Sequence, residues 1–333
     1  MAAAVVVAAA AGVEGKTMDV QRHGAGKRFI HLCIRLATAS VLVFCTATAV
    51  HAQKNFSSPD AAMESFGDAV LNNREDALRE ILGKDFRTLI PPADAGVRQT
   101  FRGEWAKAHA VKPTDASRAD ITVGDAGWTL PIPLVKTDKG WHFDTRAGAE
   151  EMRLRRIGRN ELAVIQTMLA IYDAQREYAQ TEHDGQRVLV YASRLISSPG
   201  KHDGLYWPTT ANEPPSPLGP AFIDAGVKNA ASGGYHGYHF KLLESQGTHA
   251  PGGAYAYVVR GKLFGGFAVI AWPAKYGDSG IKSFMVSHAG QVYEEDLGPD
   301  TTARAEAIRS FDPGPGWSKV SGDDSRLSGD DGR

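Results

Sequence analysis

One stretch limits the possible folds more than any other. Residues 157–180 read IGRNELAVIQTMLAIYDAQREYAQ. Ile157, Leu162, Ile165, Met168, Leu169 and Tyr172 recur at helical spacing and give a broad apolar stripe. A helix this long with one apolar side must be covered by another layer. The charged run RAGAEEMRLRRIGR at 146–159 leads into it and predicts a solvated helix face, with Glu151 and Arg155 one turn apart.

The cover is legible downstream, where the pattern changes to strand. YHGYHFKLLES, AYAYVVRGKLFGGFAVIAW and IKSFMVSHAGQVYEEDLG alternate or run apolar over strand lengths. Arg260, Gly261 and Lys262 form one expected turn, and Ala289-Gly290 closes an expected hairpin. The glycine pair at 265–266 inside a strand run suggests a bulge. Before these strands lies a Ser-, Pro- and Gly-rich loop at 191–220, entered by a short helix at VYASRLI. Leu205, Tyr206 and Trp207 should pin that loop to the fold.

The preceding region has its own signals. Ser58 and Pro59 start a helix whose Ala62, Phe66 and Val70 share a face. Asn72-Asn73 interrupts it, a second helix ends at Gly83, and a third spans about 96–110. WTLPIPLVKTDKGWHFDT then makes a hairpin turning at TDKG, with Pro131 and Pro133 marking an edge strand. The expectation is α+β throughout: a helical and hairpin domain at 53–145, then a long helix on a meander sheet at 146–317. Residues 318–333 read as a polar, disordered tail.

Residues 1–52 read as an export signal. Arg22, Lys27, Arg28 and Arg35 precede the apolar run LATASVLVFCTATAV, and small residues surround Ala52. The true start is expected at Met18, cleavage near Ala52, and the location periplasmic or secreted. Retention of the segment as an anchor is the competing reading. Cys33 and Cys45 are the only cysteines, so a cleaved chain has neither a disulfide nor a thiolate nucleophile. The formal net charge is −1, and removing five Lys/Arg and two Asp/Glu leaves about −4. That balance argues against nucleic acid as a partner.

Candidate chemistry is sparse. No G-x-S-x-G, H-E-x-x-H or phosphate loop occurs. His236 and His239 fall on opposite faces of an expected strand and cannot share a metal. GKHDGLYWP places His202 and Asp203 beside Tyr206 and Trp207. His-Asp could be a base with its orienting group, or plain turn chemistry; the aromatic pair could be a ligand platform or a loop anchor. These four residues are the ligand or partner candidates. The sequence calls for no cofactor and no metal, and supplies no assigned catalytic residue.

Six ordered blocks carry a resemblance. RRIGRNELAVIQTMLAIYDAQREYA, SSPGKHDGLYWP, PSPLGP, YHGYHFKLL, APGGAYAYVV and GGFAVIAWPAKYGDSGIKSFMV resemble a family of exported bacterial proteins, domain-of-unknown-function family 2950, over about 56–317. The resemblance implies export and carries no catalytic residues. The acidic Asp-Gly-rich loop often present in that family reads EHDGQRVLVYA here, which weakens calcium binding there. The long helix, loop and meander also resemble the soluble domain of type IV pilins and pseudopilins. A pilin joins that helix to an apolar anchor, whereas charged residues precede it here, so this resemblance implies packing rather than a filament. The favoured reading is a non-catalytic binding or assembly module of the bacterial envelope, with an envelope protein or a small ligand as partner. Its rivals are a small-ligand binder with a pocket in the N-terminal domain, and an enzyme with a site near His202 and Asp203.

Overall fold

The computed structural model describes residues 53–92, 95–185, 188–210, 213–219 and 233–321. The expected export signal and nearly all of the expected tail lie outside them. Contacts divide the chain into two compact units between Met152 and Arg153.

In the first unit the helices are α1 (Pro59–Leu71), α2 (Glu75–Leu82), α3 (Phe86–Leu89) and α4 (Ala95–Lys107). Ser58 caps α1, its Oγ accepting from the Ala61 N–H at 3.1 Å, with Pro59 at the first helical position. Asn73 takes a left-handed φ of 51° and Gly83 one of 88°, which ends α1 and α2 where the sequence predicts. The third helix stops earlier than expected. After Lys107 the chain enters β1 (His109–Pro113), which forms an antiparallel hairpin with β2 (Arg118–Val123). The sheet continues through β3 (Trp128–Thr129), β4 (Leu134–Thr137) and β5 (Gly140–Phe143). Its order is β1-β2-β4-β5, with β3 also paired to β2. Thr137 pairs with Gly140, so TDKG is the turn. Pro131 and Pro133 do not mark an edge. They lie buried in the link between β3 and β4, and β4 is an interior strand between β2 and β5. A connection outside the ladder needs no N–H from proline. Phe66, Ile81, Leu134 and Phe143 fill the core between helices and sheet.

The long helix is α5 (Thr145–Tyr178), continuous from the charged run as expected. Most of its apolar stripe is buried, but the stripe is rotated from the expected one. Ile157, Val164, Met168, Ile171 and Tyr178 are buried, whereas Leu162 is 36% exposed. Spacings of seven, four, three and seven residues keep one narrow face toward the sheet. The charged run is not simply solvated. Arg153 donates to the Gly277 carbonyl and Arg156 pairs with Asp278.

The second unit holds β6 (Arg194–Ile196), β7 (Gly204–Tyr206), β8 (Tyr238–Leu243), β9 (Ser245–Gln246), β10 (Tyr255–Ala256), β11 (Val258–Val259), β12 (Lys262–Leu263), β13 (Ala268–Pro273), β14 (Ser283–Ser287), β15 (Val292–Glu295), α6 (Thr301–Ala307) and β16 (Ser318–Lys319). VYASRLI gives β6 rather than a short helix, and two β-branched or bulky residues there fit a strand better. The main sheet runs β16-β15-β14-β13-β8, all antiparallel. The chain at 318–319, where the tail was expected to start, is therefore paired in this sheet. His239 lies in β8, but His236 sits in the preceding turn with φ 51°. Every residue of β13 is buried, because both sheet faces are covered. Val269 and Ala271 pack with α5, while Ala268, Ile270 and Trp272 join Phe311 and Ala305 of the α6 side. At the expected bulge, the N–H groups of Phe264 and Gly265 both donate to the Tyr257 carbonyl.

Polar side chains fasten this unit. Gln175 is fully buried and bonds both backbone groups of Ala192, at 2.9 and 2.8 Å. Glu161 accepts from the N–H groups of Ile281 and Lys282, at 2.8 and 2.9 Å. Lys241 donates to the carbonyls of Ala305, Glu306 and Ile308 at the end of α6, satisfying groups a helix terminus leaves free. A Cβ on Gly280 would lie 1.9 Å from the Tyr238 hydroxyl, so only glycine fits.

Candidate functional site

The loop between β6 and β7 gathers the residues singled out in the sequence. Its strands are parallel, Arg194 pairing with Gly204 and Ile196 with Tyr206. Parallel strands usually need a long crossover. Here a chain of seven residues makes the return, and local bonds explain how. SPGK forms a tight turn: the Lys201 N–H donates to the Ser198 carbonyl at 3.0 Å, with Pro199 and Gly200 in the centre and Gly200 at φ 73°. Proline then glycine is the signature of a type II turn. Asp203 closes the loop. Its carboxylate accepts from the Ser198 N–H at 2.7 Å and from Ser198 Oγ at 2.8 Å. Burial opposes its charge, but these bonds and Arg194 at 3.6 Å outweigh that and hold its pKa below the usual carboxylate value.

The loop backbone is anchored from the end of α5 and from the turn that follows it as well. Tyr178 donates its hydroxyl to the His202 carbonyl, and the Asp184 carboxylate accepts from the His202 N–H at 3.0 Å. Burial pushes the Tyr178 phenol up to about 12, with Asp184 and Asp203 adding to the effect, so it stays a donor at neutral pH. Trp207 is the hub of an aromatic group. His202 lies 4.4 Å from it at 34°, and Tyr178 and His183 meet it edge-on at 6.5 and 5.8 Å. His183 stacks on Tyr178 at 3.8 Å.

His202 and Trp207, with the turn, line a concavity of about 580 Å³ that also includes Ser197, Lys201, Tyr206 and Pro208, and Tyr178 and His183 support it from behind Trp207 and His202. That is ligand-sized. His202 is exposed at its rim, and Tyr206 and Trp207 are half-buried. The structure does not bring His202 and Asp203 together as base and orienting group. The carboxylate turns back to Ser198, while the imidazole rests on Trp207. Leu205, between the candidates, is fully buried and anchors the loop. Sequence reasoning missed Tyr178, His183 and Asp184. HDG at 183–185 is a turn, and only the fold shows that this turn meets the loop.

Among the described residues, no group of His, Cys, Asp and Glu could hold a metal ion, and no helix is long and apolar enough to cross a membrane. Fold and site together define a two-unit α+β protein with a preorganised aromatic loop pocket. The chain belongs to the family described as protein of unknown function, DUF2950, whose model matches residues 53–320. No curated protein and no solved structure matches it.

Proposed function

We propose that this chain is an exported, non-catalytic binding module of the bacterial envelope, and that the 196–208 loop is its contact site. The supporting observation is the pocket of about 580 Å³ lined by His202, Tyr206 and Trp207, on a loop whose backbone is tied by Asp203 and Asp184. Binding to a preset aromatic surface avoids the cost of ordering a loop. Asp203 acts here by shaping the loop, and the other three by contact. Assembly through α5 has less support, because most of its apolar stripe is covered by the sheet and only Leu154 and Leu162 are exposed large apolar residues on it.

Export follows from the basic and apolar pattern of residues 1–52, with cleavage near Ala52. The test is purification of the protein from the periplasm and medium of a bacterial host. Its N-terminus is sequenced, and native mass spectrometry reports bound molecules and oligomeric state. A chain starting near Gln53 with a co-purifying small molecule, lost in Trp207→Ala, supports the proposal. Cytoplasmic retention refutes the export half. Co-purification unaffected by Trp207→Ala refutes the assigned site.

A further inference from the structure

The second unit carries an exposed apolar edge, apart from the loop pocket. Seven large apolar or aromatic side chains are exposed among the described residues. Five of them, Val188, Leu189, Tyr255, Val259 and Phe264, belong to two segments that meet. The Tyr191 N–H donates to the Leu263 carbonyl at 2.8 Å, which sets the chain after Leu189 against β12. The Tyr255 hydroxyl donates to the Gly265 carbonyl at 3.4 Å, so this ring reaches the residue after Phe264. Phe264 is 58% exposed and Val259 49%.

The tip of the β11–β12 hairpin adds charge to this edge. Val259 pairs with Lys262, and Arg260 and Gly261 make the two-residue turn between them, with φ of 51° and 76°. Left-handed φ at both positions is the type I′ turn, which usually takes asparagine, aspartate or glycine first. An arginine there is strained, and strain of this kind clusters at ligand-contacting segments. Among the described residues neither Arg260 nor Lys262 has an ion-pair partner. No Asp or Glu occurs from Ser245 to Gly277. Glu244 is the acidic residue bonded to this region, its carbonyl accepting the Tyr257 N–H at 2.8 Å. Two cations against that one carboxylate leave the hairpin net positive by one.

Apolar side chains beside free cations match an anionic bilayer. Binding there combines burial at the acyl boundary with attraction of Lys and Arg to the headgroups. A second copy of this chain fits less well, because a symmetric contact would set its two cations against these two. We infer that the 255–264 hairpin, with Val188 and Leu189, docks on an anionic phospholipid surface. Val259 and Phe264 enter the acyl boundary, and Arg260 and Lys262 meet headgroup phosphates. This deepens the envelope reading, but vesicle binding is measurable wherever the cell places the chain, so the two fail separately.

The test is co-sedimentation of the full protein with vesicles of phosphatidylethanolamine and phosphatidylglycerol in equal parts, and with phosphatidylcholine vesicles. An uncleaved chain also carries the apolar run at 36–50, so the readout is the difference between parent and hairpin variants. The parent should sediment with the anionic vesicles, far less with the neutral ones, and be released by salt. Arg260→Asn combined with Lys262→Gln should weaken anionic-vesicle binding about tenfold. Phe264→Ser should weaken it about fivefold. Asparagine tolerates the left-handed turn, and circular dichroism checks each fold. Lys84→Gln, at an exposed cation of the first unit, should change nothing. The inference requires both losses. A parent that does not sediment, hairpin variants that sediment like the parent, or equal binding to neutral vesicles overturns it. Self-association abolished by Phe264→Ser, with no difference on vesicles, assigns the edge to a second copy instead.

Discussion

The two units differ in emphasis, although Gln53 also ties the Ile81 and Phe143 carbonyls in the first, both at 2.7 Å. In the first, Phe66 and Phe143 pack at 5.2 Å, and Phe101 and Trp105 at 5.6 Å, across one apolar core. In the second, an equally apolar sheet is overlaid by side chains that each fasten a distant backbone segment: Gln175 to Ala192, Glu161 to 281–282, Lys241 to the end of α6. A core assembled from carbon is tolerant in detail, since many shapes fill it. A fastening made of one amide or carboxylate is specific, since removing it leaves buried backbone groups unpaired. The units should therefore fail under different substitutions.

The largest test of this contrast is Phe143→Ala. The ring is fully buried against Phe66, so truncation should cost about 3–5 kcal/mol, read by urea unfolding, with hydrogen exchange localising the loss to β4 and β5. Next is Gly280→Val in the second unit. Its new side chain meets the Tyr238 ring, itself fully buried and bonded through its hydroxyl to the Lys282 carbonyl. A loss of about 3 kcal/mol is expected, and a neutral result would show that Tyr238 can swing aside.

Gln175→Leu keeps the apolar volume and removes both bonds to Ala192. If polar fastening governs this unit, it should cost about 2–3 kcal/mol despite the added hydrophobicity. Equal or greater stability in the same unfolding measurement would erase the contrast.

A smaller effect concerns acid. Burial lowers the pKa of His239 and of His288, against a weaker opposing pull on His239 from Glu306. Neutral imidazole is thus the folded form. Their contribution is full above the unfolded value of about 6.5 and is lost as pH falls through that value toward the folded one. The midpoint of thermal unfolding should be lower at pH 5 than at pH 7.5, with exchange protection falling in β8, β13 and β14. Asp203 and Asp278, held below the usual carboxylate range, lose their contribution only in stronger acid and do not enter this window.

The smallest change is Ser198→Ala. It leaves the Ser198 N–H on Asp203 and removes only the hydroxyl bond, about 1 kcal/mol. Calorimetry should detect little beyond that.

The same contrast explains what the sequence revealed. Ser58-Pro59, Asn73, Gly83, TDKG and Ala289-Gly290 were readable because each acts on its own neighbours. The α+β class followed from the change of period after residue 180. The β1–β2 hairpin was missed because His109–Pro113 alternates weakly, with an exposed and polar surface. The phase of α5 was misread at Leu162, since apolar residues surround the true stripe on both sides. In the site, Tyr206 and Trp207 stood out as aromatic residues in a loop. Tyr178 did not, because it looked like one more residue of a helical stripe, and its bond to His202 closes over 24 positions. Glu161 and the backbone it holds are 120 positions apart, beyond any local pattern.

Lys241 offers a way to watch this molecule at work. Its amine is committed to three carbonyls and, through burial, has a lowered pKa. To react with an acylating reagent the amine must lose a proton and give up a bond to the end of α6, which slows its labelling. The rate at which Lys241 is labelled, compared with an exposed lysine such as Lys84, is then a clock for the opening of that corner, readable residue by residue by mass spectrometry.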